Sequence, residues 1–305
     1  MKIQHVVVSG PNGSLGPAVI TNLLKAGFEV TVLTRNPSKT KEAYPGVKVA
    51  EADYSNVEKL TATLKSAGKV DAVVCLLNRE VHVLPAQIAL IDATIAAGIP
   101  HYIPSSFGAD MRKPRNRHLP PLEPKGDMED YVVKKANEGA LTFTIINQGV
   151  LLDWCLDRNI LLNFDGQPIR LFDGGKGQIS ATTLDDTGKA VAGALLNRDK
   201  VINKYCFVHS KSTSQLEMIR LLRELKPDEK IETMNIDTDE MLKVSEENLR
   251  KGDLSPLAMR GYIMKVSFGD NGEEGNHFAE TDNEVLGVRE WSEEELKELI
   301  RKYVK

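Results

Sequence analysis

The chain has 305 residues, 41% of them hydrophobic and 27% charged, with a formal net charge of −4. That length suits one large domain or two unequal ones with a full core, and the dispersed basic residues argue against a nucleic-acid partner. Cys75, Cys155 and Cys206 are far apart and the six histidines are scattered, so no metal site is expected and the thiols read as buried in a reducing compartment.

The amino terminus, MKIQHVVVSG, has an apolar run too short for a signal peptide. No stretch approaches the roughly 20 apolar residues that cross a bilayer. A cytoplasmic protein without a membrane partner is the expectation.

Residues 3–8 form a β-branched run without formal charge, as in a strand buried on both faces. A glycine-rich turn follows, then a helix over 15–26 stopped by Gly27. Strands are predicted at 28–33 and 47–50, a helix at 57–67 ended by Gly68, and a strand at 72–77. The stretch 85–97 carries Ile88, Ile91 and Ile95 at helical spacing and is closed by Gly98. Strands at 101–104 and 141–146 complete the first half. Such alternation implies parallel strands joined by right-handed crossovers, an α/β doubly wound sheet.

The second half is less regular. Helices are predicted at 187–197, 214–225, 238–250 and 292–303, the last opening with Ser292 and Glu295 in capping-box spacing. A strand-like run at 205–208 is expected to return to the parallel sheet. The division expected is residues 1–153, with a returning segment near 180–209, and a smaller, interleaved α+β substrate domain over 154–305. The basic, proline-rich segment 109–124 (ADMRKPRNRHLPPLEP) reads either as a lid or as a solvated excursion.

Gly10, Gly13 and Gly16 stand in G-x-x-G-x-x-G spacing between the first strand and the first helix. Glycines there permit a tight turn, close approach of a pyrophosphate to the backbone, and helix packing against the strand. The helix amino terminus then offers free N–H groups to phosphates. This is the signature of a Rossmann dinucleotide site. At the end of the second strand, where NAD-binding proteins place an acid, the sequence has Arg35 and Lys39 instead. Cations there select a 2′-phosphate, so the cofactor expected is NADPH/NADP+. Asn12 and Leu15 in the bend and Leu77 and Asn78 at the end of the fourth strand are further candidate contacts. Asp53 could meet the adenine edge or cap the helix that follows.

Gly10 to Gly16, Arg35 with Lys39, Gln87 with Ile91-Asp92-Ala93, Pro104-Ser105-Ser106-Phe107-Gly108, LTFTIINQGVLLDW at 141–154 and Asp185-Asp186-Thr187-Gly188 together resemble the NmrA-like and isoflavone-reductase-like family of atypical short-chain dehydrogenases. The resemblance covers most of the chain. It implies reduction of a small, aromatic or secondary-metabolite-like acceptor, by a monomer or homodimer, with a lysine beside the nicotinamide. Lys125 fits the family's pattern of lysine, two spacers, apolar residue and acid; Lys134 and Lys135 lie farther along the same helix. The lysine would act as an acid or polariser toward the acceptor oxygen.

Ser105, Ser106, Asn147 and Gln148 follow the fifth and sixth strands, at the sheet edge where cofactors bind. Phe107, Gly149 and Leu151 are candidates for the acceptor's surroundings, among apolar Val150, Leu152 and Trp154. Two rival functions share these features: an NmrA-type sensor of NADP without turnover, and a biosynthetic enzyme using the cofactor scaffold for cyclisation or isomerisation.

Overall fold

The computed structural model describes residues 2–77, 83–269 and 276–304. Its strands are β1 (His5–Ser9), β2 (Glu29–Thr34), β3 (Lys48–Glu51), β4 (Ala72–Cys75), β5 (His101–Ile103), β6 (Thr142–Asn147), β7 (Val150–Leu151), β8 (Ile169–Phe172), β9 (Ile179–Thr182), β10 (Lys204–Phe207), β11 (Lys211–Thr213) and β12 (Thr233–Ile236). Seven of them form one sheet in the order β10-β6-β5-β4-β1-β2-β3, every pairing parallel. The order reverses between β1 and β4, and a crevice opens at the carboxyl ends of strands at such a point.

The helices of the first half are α1 (Gly16–Lys25), α2 (Pro37–Ala43), α3 (Val57–Ser66), α4 (Val83–Ala96), α5 (Pro114–Arg117) and α6 (Glu123–Asn137). Those of the second are α7 (Leu152–Leu156), α8 (Leu184–Leu196), α9 (Arg198–Val201), α10 (Gln215–Leu225), α11 (Thr238–Arg250), α12 (Arg260–Phe268), α13 (Asn283–Leu286) and α14 (Glu293–Arg301). Alternation along β1 sends Val6 and Val8 to a core with Ile20, Leu23 and Val191, and Val7 to a core with Leu60, Leu90 and Met128. Both faces are therefore dry, which is why β1 carries no charge. The Asn22 amide of α1 donates to Asp185 Oδ1 of α8 at 2.9 Å, so α8 completes the layer over α1.

The second half adds two small sheets, β11-β9-β7 and β12-β8, over a core that includes Phe172, Leu222, Phe268 and Leu299. Ser214 and Ser292 each cap their helix through a reciprocal pair with Glu217 and Glu295. β10 lies beyond β6 at the sheet edge, with Tyr205 beside Ile145.

Several parts lie outside the elements expected from the sequence, the two small sheets and helices α2 and α12 among them. Helix α2 was not predicted; Asn36 accepts from Lys39 N at 3.2 Å to cap it, and Thr40 is its buried residue. Of the two readings of segment 109–124, the solvated excursion is excluded. Ala109, Met111 and Leu122 are buried against Val266 of α12, and the Asn116 amide donates to Asp110 O at 3.0 Å. Its apolar residues outweigh its four cations because they find α12, a contact remote in sequence. Among the described residues no helix is long and apolar enough to cross a membrane.

Candidate active site

The site begins with the bend after β1. Gly10 has φ +73°, and a Cβ on it would lie 2.8 Å from Leu76 O. A Cβ on Gly16 would lie 1.8 Å from Pro11 O. Both positions exclude any side chain, and the bend is held by Gly13 N donating to Gly10 O and Gly16 N to Gly13 O, at 3.2 and 3.1 Å. Helix α2 braces it: Tyr44 Oη donates to Pro11 O at 2.6 Å, and the Asn12 amide to Thr40 Oγ1 at 3.1 Å.

A cleft of about 800 Å³ lies over this bend, walled by Gly10, Asn12, Gly13, Arg35, Asp53 and Leu77 among others. Arg35 is exposed on the wall just past β2, while Lys39, in the first turn of α2, is exposed and outside the wall. Asn78 lies outside the described residues. Asp53 does not cap α3. The cap is Asn56, which accepts from Lys59 N at 2.9 Å, and the Asp53 carboxylate is engaged by Ser55 and Lys59.

A second cleft of about 550 Å³ shares Gly13 and Leu76 with the first. Leu15, Ser105, Phe107, Lys125, Gln148, Gly149 and Leu151 all face it. Gly16, Ser106 and Asn147 do not; Ser106 and Asn147 are buried behind the wall, and neither side-chain amide atom of Asn147 has a hydrogen-bond partner among the described residues. Lys125 sits in the first turn of α6, and its Nζ donates to Phe107 O at 2.6 Å. Burial pulls its pKa below the usual lysine range, and the nearby Glu129 partly opposes that. Lys134 is exposed, Lys135 pairs with Glu138 at 3.0 Å, and neither lines the cleft.

Trp154, one of the apolar residues expected around the acceptor, is joined here by neighbours that the sequence did not single out. The Trp154 indole donates to Ser14 Oγ at 3.1 Å, tying the second cleft's wall to the glycine bend, and the Arg158 guanidinium lies 4.0 Å over that indole. Met264, Val266 and Phe268 of α12 supply an apolar side of the cleft. Glu129 is buried and accepts from Ser106 Oγ. It is the acid of the lysine-centred family pattern, and its four-residue spacing from Lys125 is the local signal that the two share a helix face.

The profile of the NmrA-like family matches residues 2–252. The chain belongs to the NmrA-like family. This NmrA-like chain is 29% identical over 277 residues to oxidoreductase aprR of Aspergillus flavus, covering 86% of this chain and 87% of that one. Its fold is shared with AtPrR2 solved with NADP+ and (+)pinoresinol, at TM-score 0.77 and 20% identity over 98% of this chain and 99% of that one. It is shared also with isoflavone reductase, at TM-score 0.76 and 18% identity over 99% of this chain and 100% of that one.

Proposed function

We propose that this chain is an NADPH-dependent oxidoreductase of the isoflavone-reductase-like kind that reduces a small, apolar, aromatic acceptor of the secondary-metabolite type. The observation that carries the reading is the meeting of two clefts at Gly13 and Leu76, one over the glycine bend and one holding Lys125.

The bend suits a dinucleotide because Gly10 and Gly16 leave no space for side chains. Arg35, with no acid at the end of β2, suits a 2′-phosphate. Gly10, Asn12, Gly13, Arg35 and Leu77 would hold the cofactor, with Gly16 letting the bend close behind them and Leu15, Ser105 and Gln148 toward its nicotinamide end. Lys39 joins them only by turning toward the phosphate, and Ser106 and Asn147 support this edge from behind. When bound, NADPH supplies a hydride.

Carbon accepts hydride only where the charge that develops on its conjugated oxygen is stabilised. Lys125 meets that need: its ammonium is positioned by Phe107 O and can release a proton to the acceptor oxygen. Phe107, Gly149 and Leu151 flank the acceptor, while segment 109–124 and α12 exclude water from it. Residues 154–305 thus act mainly as the substrate-binding half. A sensor without turnover has no use for an ammonium desolvated in an apolar cleft.

The test is loss of NADPH absorbance with pinoresinol, isoflavones and aromatic enones as acceptors. Lys125→Met should lose turnover by about 100-fold or more, the usual contribution of a general acid, with NADPH affinity retained. Wild-type turnover in that variant, or no oxidation with any acceptor, refutes the reading.

A further inference from the structure

Glu129 stands one helical turn beyond Lys125 on α6, the spacing that brings two side chains onto one face. It is 1% exposed, a rare state for an unpaired carboxylate. The groups that face it come from four segments. Ser106, after β5, donates its hydroxyl to Oε1. Tyr205, on β10, brings its phenol beside the carboxyl, and Lys125 is the cation on its own helix. Asp110 opposes its ionisation from segment 109–124, where Arg112 pairs with Asp110 at 2.9 Å and lies 4.8 Å over the Tyr205 ring. Burial pushes the Glu129 carboxyl up to about 7, against the pull of Ser106 and Lys125. Lys125 and Glu129 are therefore adjacent titratable groups, each shifting the other's protonation.

We propose that Glu129 is a positioning residue that returns to Lys125 the proton given up in acceptor reduction, with Ser106 as its hydrogen-bond partner and the Tyr205 phenol beside it. The step balances. An N–H bond of the Lys125 ammonium breaks toward the acceptor oxygen, leaving a neutral amine. Lys125 Nζ rests on Phe107 O, so the amine turns from that carbonyl toward Glu129 one helical turn away; the O–H bond of protonated Glu129 then breaks, and its proton adds to the Nζ lone pair, restoring the ammonium and leaving a carboxylate. That carboxylate regains a proton from solvent by way of the half-buried Tyr205 phenol, so one solvent proton enters per turnover. The inference rests on the reading of Lys125 as the acid.

Two measurements test it. Infrared difference spectra over a pH titration, without acceptor, should show the C=O stretch of a protonated carboxylic acid lost with a midpoint near 7. The band should be absent from Glu129→Gln, and its midpoint should rise in Lys125→Met, which lacks the opposing cation. A band that survives in Glu129→Gln, or ignores Lys125→Met, overturns the proposal. In NADPH oxidation with pinoresinol as acceptor, wild-type kcat should fall as pH rises past about 7. Glu129→Gln should bind NADPH normally, lose about tenfold in kcat below that pH and show no break, while Glu129→Asp restores the break. A wild-type profile in Glu129→Gln overturns the proposal. If Glu129→Gln is normal while Lys125→Met is inactive, only this inference falls; if Lys125→Met is active, the earlier reading falls, and the infrared result still reports whether the two groups are coupled.

Discussion

Replacing Glu129 by glutamine should stabilise the chain at alkaline pH and leave it nearly unchanged in acid. The unfolded carboxyl titrates at 4.5 and the folded one at about 7. Between those values the unfolded chain binds fewer protons than the folded one, so wild-type stability must fall as pH rises. Each pKa unit corresponds to about 1.4 kcal/mol, so keeping the carboxylate ionised in the fold costs about 3 kcal/mol once pH exceeds the folded value. Glutamine keeps the shape of the neutral acid, accepts from the same Ser106 hydroxyl and has no charge to desolvate. Urea unfolding of both proteins between about pH 4.5 and 8 should give curves of equal slope whose separation grows from near zero to about 3 kcal/mol, the variant being the more stable. A separation that does not change with pH would show that burial does not penalise this carboxylate. A wild type that gains on the variant as pH rises would show instead that its partners over-compensate burial.

Arg35→Glu should weaken NADPH binding by about 10- to 100-fold, the loss of one charge-assisted bond, and leave NADH affinity much less affected; calorimetry showing equal losses for both cofactors would remove Arg35 from phosphate recognition. Gly16→Ala puts a methyl 1.8 Å from Pro11 O, a backbone atom that cannot swing aside. Both Tm and NADPH affinity should drop, and an alanine variant with wild-type values would mean the bend is open enough for a side chain. Asn56→Ala should cost about 1 kcal/mol as a lost helix cap, and Asp53→Ala less than about 0.5, both read by urea unfolding. The reverse ranking would return the cap to Asp53.

The first βαβ unit was legible because each local signal agreed with the fold: a charge-free strand, glycines where side chains have no room, and an amphipathic helix ended by Gly27. The bounds of β1, β2 and β6 moved by one or two residues only. Helix α2 was hidden because PSKTKEA buries one residue, Thr40, and so carries no apolar stripe. The small sheets were hidden because β7, β9 and β11 are two to four residues long and gain their stability from partners far along the chain. Segment 109–124 stayed open between a lid and a solvated excursion because its apolar residues are scattered among cations, and their partner Val266 is over 140 residues away. In the site, positions set by the sheet edge were readable and positions set by packing were not. Lys125 was found by pattern, and Glu129 entered only as the acid of that pattern; its burial is visible only once Ser106 and Tyr205 are placed around it.

The interleaving of the two halves has a chemical consequence. β10 belongs to the second half of the chain, yet it pairs with β6 and thereby carries Tyr205 to the carboxyl of Glu129. α7 belongs to that half as well, and its Trp154 reaches Ser14 in the glycine bend. The second cleft is therefore walled by both halves, and the bend under the first is tied to the second half through Trp154. A change in acceptor shape at α12 can be absorbed without touching Gly10 or Gly16, because α12 lines only the second cleft. A change at Tyr205 cannot, because the phenol faces the carboxyl that sits beside the reacting lysine. Variation in acceptor among chains built this way should accordingly fall on α12 and segment 109–124, where the wall is apolar side chain, and spare the polar line that runs from Lys125 through Glu129 to Tyr205.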